Sequence, residues 1–194
     1  MILTVDNEYA AVLDACVLVP MPLCDTLLRC AEDPALFRAL WSEQILEEVK
    51  RTLLQKFGYT AAQVEYRLRM MREAFPEACV SVPPALLGAV PEIPDEADKH
   101  VVAAAIHEGA QVIVTSNVKH FPQEMLTPHH ILVQSPDDFL IHQYHLNPDV
   151  VAEKIDTQAS AIGQQRSVLL GLLARTLPAF VELLKERQNR AETS

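Results

Sequence analysis

Asp14 sits inside the apolar run AAVLDACVLV (10–19), where an unpaired ionised carboxylate costs several kcal/mol to bury. It must meet a cation or donors, or stay near water. Asp95 and Asp98 open a helical stretch after Pro94; a cap suits the first, and the second shares a helical face with it. Thr115-Ser116-Asn117 follows the strand-like QVIVT (111–115), offering a hydroxyl and an amide carbonyl at its carboxyl end. Glu47 and Glu48 lie on a helix whose apolar face is Ile45, Val49 and Leu53. Taken singly, each has an ordinary structural reading as a cap, a turn or a solvated face. Taken together, acids from separate segments converging on one cleft repel one another, and a hard divalent cation such as Mg²⁺ or Mn²⁺ relieves that repulsion. Such clusters activate water and stabilise in-line displacement at phosphorus.

The elements around these residues alternate. AAVLDACVLV reads as a buried strand of the parallel type, ended by Pro20 and Pro22. Residues 23–40 read as helical, with Asp33-Pro34 opening a second short helix. Ser42 caps a helix carrying Ile45, Val49, Leu53 and Phe57 that Gly58 stops, and Thr60 starts another with Val64, Leu68, Met71 and Phe75. Cys79-Val80-Ser81-Val82 is a short strand. A helix from Asp95 through His107, closed by Gly109, leads into QVIVT; Ile131-Leu132-Val133 is the next strand, and Ser135-Pro136 opens a helix with Phe139, Leu140 and Tyr144. Strand–helix–strand order with short connections predicts a parallel sheet covered by helices. Residues 148–188 read as helical, kinked at Pro178, with Leu169, Leu173, Leu177, Phe180 and Leu184 in one stripe. That stripe suits packing on the domain, dimerisation or a partner equally well. The fold class is α/β, with a domain over 1–146 and a helical extension over 147–194.

Charge narrows the chemistry. The chain of 194 residues has 16 Lys and Arg against 26 Asp and Glu, a net charge of -10. Bulk electrostatics of that sign do not gather nucleic acid. The deficit is local: residues 43–73 carry +1, whereas 74–147 carry -7. Phosphate can approach the second segment only if a cation intervenes. Lys50, Arg51, Lys56, Arg67, Arg69 and Arg72 are candidates to hold a nucleic-acid backbone, and Lys99 and Lys119 flank the acids more closely. No apolar run reaches the ~18 residues of a membrane helix. No basic, apolar leader opens the chain, so a cytoplasmic protein is expected. Cys16, Cys24, Cys30 and Cys79 lack metal-site spacing and read as free thiols. All seven His fall between 100 and 145; the pairs His100/His107 and His142/His145 lack a third ligand for zinc, and His100, beside Asp98, is the one of interest.

Three blocks, VLDACVLVPMPLCDTLLR (12–29), WSEQILEEVKRTLL (41–54) and IPDEADKHVVAAAIHEGAQVIVTSNVKHFP (93–122), resemble the PIN-domain ribonucleases, in particular VapC-type toxins of toxin–antitoxin pairs. The resemblance covers about residues 10–145, and the tail is similar to the helical extension of one PIN subgroup. It implies a three-layer α/β/α sandwich with a mostly parallel sheet, and metal-dependent cleavage of RNA. Matched by position, the catalytic and metal-holding acids fall on Asp14, Glu48 and Asp98, with Asp95 as an accessory ligand and Thr115 as the hydroxyl after the fourth strand. The last family acid is often Asp; here Asn117 stands in its place, read as a ligand without charge that lowers cation affinity. His120 stands where the subgroup often has an acid, as a supporting group, a proton carrier or a plain loop residue. The resemblance also implies an RNA substrate and a cognate antitoxin that occludes the cleft; a homodimer is left open.

Two other readings stand beside this one. A phosphatase that starts from a strand-end Asp needs a second Asp two residues on, where this chain has Cys16. A PIN module that binds RNA or protein without cutting is the stronger alternative, with Asn117 as the lesion.

Overall fold

The computed structural model describes residues 9–192. Residues 1–8 and 193–194, the outer ends of the expected 1–146 and 147–194 segments, lie outside them. The chain opens with β1 (Ala10–Leu13), turns directly into a one-turn helix α1 (Ala15–Leu18), and continues into α2 (Met21–Ala31). Then come β2 (Arg38–Ser42), α3 (Glu43–Lys56), α4 (Ala61–Ala74) and the short β3 (Cys79–Val80). After two 3₁₀ turns, α5 (Lys99–Glu108) leads to β4 (Val112–Val114). A loop with α6 (Gln123–Leu126) reaches β5 (Leu132–Gln134), and α7 (Pro136–Leu146), α8 (Pro148–Ala161), α9 (Arg166–Leu173) and α10 (Pro178–Glu192) complete the described chain.

All strand pairs are parallel, in the order β3-β2-β1-β4-β5. Every residue of β1 and β4 is buried. Neighbouring side chains on a strand point to opposite faces, so both faces of the sheet are covered and the architecture is a three-layer α/β/α sandwich. The chain winds outward from β1 through β2 to β3, then returns to lay β4 and β5 on the other side of β1. The order therefore reverses between β1 and β4, and the crevice beyond their carboxyl ends is where open sheets of this class place ligands.

Local signals explain most boundaries. The Ser42 hydroxyl accepts the Ile45 amide at 3.2 Å at the start of α3. Thr60 and Gln63 form a reciprocal capping box on α4. Gly109 ends α5 at φ 61°, a left-handed cap that glycine adopts without a Cβ penalty. Three expectations are corrected. The run 10–19 is not one strand: Asp14 stays extended, its carbonyl accepts the Val17 amide, and the chain coils into α1. A continuous apolar run suits a buried helical turn as well as a strand, and periodicity cannot separate them. The second short helix expected from Asp33-Pro34 up to Leu40 does not form, and Arg38–Leu40 belong to β2, because pairing of Ala10 with Arg38 and of Val12 with Leu40 outweighs local preference. Pro178 does not kink a long helix but starts a separate one, α10.

The leucine stripe faces inward: Leu169, Leu173, Leu177, Phe180 and Leu184 are all buried in the core that includes the sheet. α8 and α9 pack on α2, and α10 on α7. Gln158 on α8 accepts from the buried Thr26 hydroxyl of α2 at 2.8 Å, a polar tie through an apolar interface.

Candidate metal centre

The fold brings the predicted acids to one edge by independent routes. Asp14 follows β1 and Thr115 follows β4, the two strands at the reversal. Glu48 lies in the first half of α3, which leaves the carboxyl end of β2. Asp95 and Asp98 bracket the 3₁₀ turn before α5, a helix that must start at the carboxyl edge to feed β4 from its other end.

Asp14 is 3% exposed and held by donors. Its Oδ2 accepts the Thr115 hydroxyl at 2.6 Å and the Cys16 thiol at 3.1 Å. Those two donors are themselves fixed by the turn after β4. The Ser116 amide donates to Cys16 Sγ at 3.2 Å, and the Asn117 amide to Thr115 Oγ1 at 3.0 Å. Burial first, then the Asp14 charge, pushes the Cys16 thiol up to about 12, so at neutral pH it stays protonated and able to donate. Both hydrogen bonds land on Oδ2, which leaves Oδ1 unengaged by either.

Asp98 is positioned differently. His120 Nδ1–H donates to its Oδ2 at 2.7 Å and lies 3.6 Å from Asp95 Oδ2. Asp95 also caps the 3₁₀ turn, accepting the Ala97 amide at 3.0 Å. Among the described residues, Asp95, Asp98 and His120 form a group whose ligand atoms lie within 4.8 Å of one another. Burial raises the Asp98 carboxyl above its ordinary 3.8, against the lowering effect of its His120 bond, and the charges of Asp14 and Asp95 add to the rise. Glu48 is likewise raised above 4.5: burial leads, His100 opposes, and Asp14 and Asp98 push it further up. Asp14, Glu48 and Asp98 thus share one electrostatic neighbourhood, although Asp14 and Glu48 stand outside the 4.8 Å group.

The remaining candidates divide. Thr115 is at the centre and His120 on Asp98. Asn117 contributes its backbone amide, while its exposed side chain has no hydrogen bond to the acids among the described residues. Lys99 turns to Glu96 at 2.7 Å, and Lys119 is exposed. The basic helix residues are mostly spent within the protein. Arg67 donates to the Leu18 and Val19 carbonyls at the end of α1, Arg72 pairs with Glu43, Lys50 with Glu47, Arg51 with Glu48 and Arg69 with Glu73. One contributor, Cys16, is missed by the sequence, which reads it as a free thiol and as the residue that excludes a phosphatase; its place two residues after Asp14 on a one-turn helix aims its thiol back at the carboxylate. His100 is buried with Nε2 3.8 Å from Glu48 Oε2; its place two residues after Asp98 was the only available signal.

The family model described as "PIN domain" matches residues 10–119, which span β1 to the turn after β4. This chain belongs to the PIN domain family. It is also 55% identical over 49 residues to the "Putative ribonuclease VapC50" of Mycobacterium tuberculosis (strain ATCC 25618 / H37Rv). That match covers 25% of this chain and 29% of the relative, so it speaks for a segment rather than for the whole protein. No solved structure gives a significant match. The PIN domain here therefore includes the β1–β4 crevice and all the acids gathered at it. None of the helices among the described residues is long and apolar enough to cross a membrane.

Proposed function

We propose that the protein is a divalent-cation-dependent endoribonuclease of the VapC type. The functional unit on this reading is 1–146, with 147–194 as a helical extension braced against α2 and α7. The observation that carries it is the convergence of Asp14, Glu48 and Asp98, from three separate elements, at the β1–β4 reversal, where each of the last two feels the charge of the first. The donor set is oxygen-rich, which suits Mg²⁺ or Mn²⁺. Asp14, Glu48 and Asp98 would hold the ion, Asp95 would assist, and Asn117 would bring its amide oxygen if its exposed side chain turned inward. When bound, the ion supplies charge neutralisation at the phosphate and activation of the attacking water. The chain's own part is orientation. Thr115 and Cys16 fix the Asp14 carboxylate, and His120 fixes that of Asp98 while standing ready to carry a proton at its free Nε2. Lys99 and Lys119 flank the acids along the chain and would be the residues to contact the RNA backbone beside the cut. The cognate antitoxin and a cytoplasmic setting belong to the same proposal, supported by the partial match to the mycobacterial relative.

Incubation of purified protein with a pool of structured RNAs in Mn²⁺, Mg²⁺ or EDTA tests this reading. The expected result is internal cuts in either cation and none in EDTA. Cuts that persist in EDTA would sink it. The side chain of Asn117, exposed and uncharged, favours one alternative, a module that binds RNA or protein without cutting. That alternative gains if wild type is silent in all three conditions and Asn117→Asp cuts.

A further inference from the structure

His100 is 7% exposed, and its Nδ1 lies 2.7 Å from the Ala97 carbonyl oxygen. A carbonyl only accepts, so Nδ1 carries the hydrogen, and in the neutral ring Nε2 presents a lone pair. That Nε2 is buried without a hydrogen-bond partner, and it points at Glu48 Oε2 across 3.8 Å. With the ring neutral, Nε2 and the carboxylate oxygen are two acceptors facing each other, and a buried polar atom such as Nε2 left unsatisfied costs about 1–3 kcal/mol. A group that accepts electron pairs from both atoms satisfies them together. The ring is also oriented as metal-ligating imidazoles are, with its far N–H fixed on a backbone carbonyl and its near nitrogen unspent. The separation of 3.8 Å is within the span of two ligands on one first-row ion, whose bonds to nitrogen and oxygen are about 2.0–2.2 Å. His120 does not offer this. Its Nδ1 is likewise fixed, on Asp98, but its side chain is 41% exposed and leaves no buried nitrogen unsatisfied.

We infer that His100 Nε2 is a ligand, beside Glu48, of the cation held at this edge, which makes the site selective for a first-row transition ion over Mg²⁺. The inference rests on the reading that these acids hold a divalent cation. An imidazole nitrogen is a poor donor for Mg²⁺ and a good one for transition ions, so one buried histidine shifts an oxygen-rich site toward the latter.

Mn²⁺ is the probe, with pulsed electron paramagnetic resonance as the readout. Full-length protein carrying one equivalent of Mn²⁺ is compared with the same protein grown on ¹⁵N-histidine. The expected spectrum shows a directly coupled ¹⁴N that becomes ¹⁵N on labelling, survives His120→Gln and disappears in His100→Gln. Calorimetry of His100→Gln should show Mn²⁺ affinity down by at least about tenfold, the lower bound for groups that merely orient a ligand, with Mg²⁺ affinity within about twofold. If His100→Gln does not fold, the labelled wild type and His120→Gln still decide the matter, because they need no change at the buried position. Mn²⁺ bound without histidine coupling, or coupling lost with His120 and kept without His100, overturns the inference and leaves the acid-held cation standing. Failure of wild type to bind Mn²⁺ at all removes both.

Discussion

Asp14 and Glu48 are carboxylates at the same edge of the same sheet, yet the chain treats them differently. Asp14 is buried and receives a hydroxyl and a thiol on one oxygen, each donor braced by a backbone amide of the turn after β4. Glu48 has Arg51 at 3.6 Å and the orphaned His100 Nε2 at 3.8 Å, both beyond hydrogen-bond distance, and two carboxylates that raise it. The Asp14 corner is therefore built by hydrogen bonds and keeps its shape whatever the charge nearby. The Glu48 side rests on the long, half-exposed Arg51 ion pair rather than on hydrogen bonds, and gains most from a further positive charge. One corner sets geometry, and the other should report the cation.

The sharpest separation should come from Asp14→Asn. The amide oxygen can still accept from Thr115, so the corner keeps its form, while the charge that would hold the cation is gone. RNA cleavage should fall on the order of 10²–10³-fold, the loss expected when several kcal/mol of transition-state stabilisation disappears. Melting temperature should hardly move. A large loss of stability with activity intact would invert the comparison and make Asp14 a structural residue.

Thr115→Val tests the same corner from the donor side. It keeps the shape of a buried residue and deletes the 2.6 Å bond to Asp14. Hydrogen bonds to charged groups contribute about 1.5–3 kcal/mol, so urea denaturation should show destabilisation near 2 kcal/mol. Nothing comparable should follow on the Glu48 side.

There the sign reverses. Glu48 and Asp98 have raised carboxyl values in the fold, so the folded state holds protons that the unfolded chain has released. Their contribution to stability is present below the ordinary values of 4.5 and 3.8, and is lost as pH rises through the raised ones. With the cation chelated, Glu48→Gln should thus melt higher than wild type at neutral pH, and the gap should close on acidification through that window. Saturating Mn²⁺ should stabilise the wild type more than the variant. Equal melting curves at all pH values would show that Glu48 pays no electrostatic cost in the fold.

The sequence made one of these corners far easier to foresee than the other. Asp14, Thr115 and the caps at Ser42, Thr60 and Gly109 are local signals, readable from residue type against a strand or helix start. The parallel sheet followed from alternation. What was missed depended on pairing and on direction. β2 exists because Arg38–Leu40 finds β1, and α1 exists because Asp14 turns the chain inside an unbroken apolar run. The helix residues that are candidates to hold RNA pair mostly with nearby glutamates, and Arg67 closes the end of α1, none of which composition can reveal. His100 stands out in the sequence only for its place beside Asp98; its unsatisfied Nε2 depends on burial that the sequence does not show.

Cys16 is where the smallest effect is expected, and its size matters to the comparison. If the Asp14 corner is built from donors, the chemical identity of the second donor should matter little as long as it donates. Cys16→Ser replaces a weak thiol donor, 3.1 Å from Asp14, with a stronger hydroxyl on a shorter bond, in a half-buried position. Stability should stay within about 0.5 kcal/mol and cleavage within about twofold, whereas Cys16→Ala should cost ~1 kcal/mol for the lost hydrogen bond. With its value near 12, the wild-type thiol should also react slowly with maleimide at pH 8, although it is not fully covered. Serine and alanine behaving alike would mean that Thr115 alone fixes Asp14. Rapid alkylation of Cys16 at that pH would mean that the thiol is not held on the carboxylate, and the two corners would then differ less than their hydrogen bonds imply.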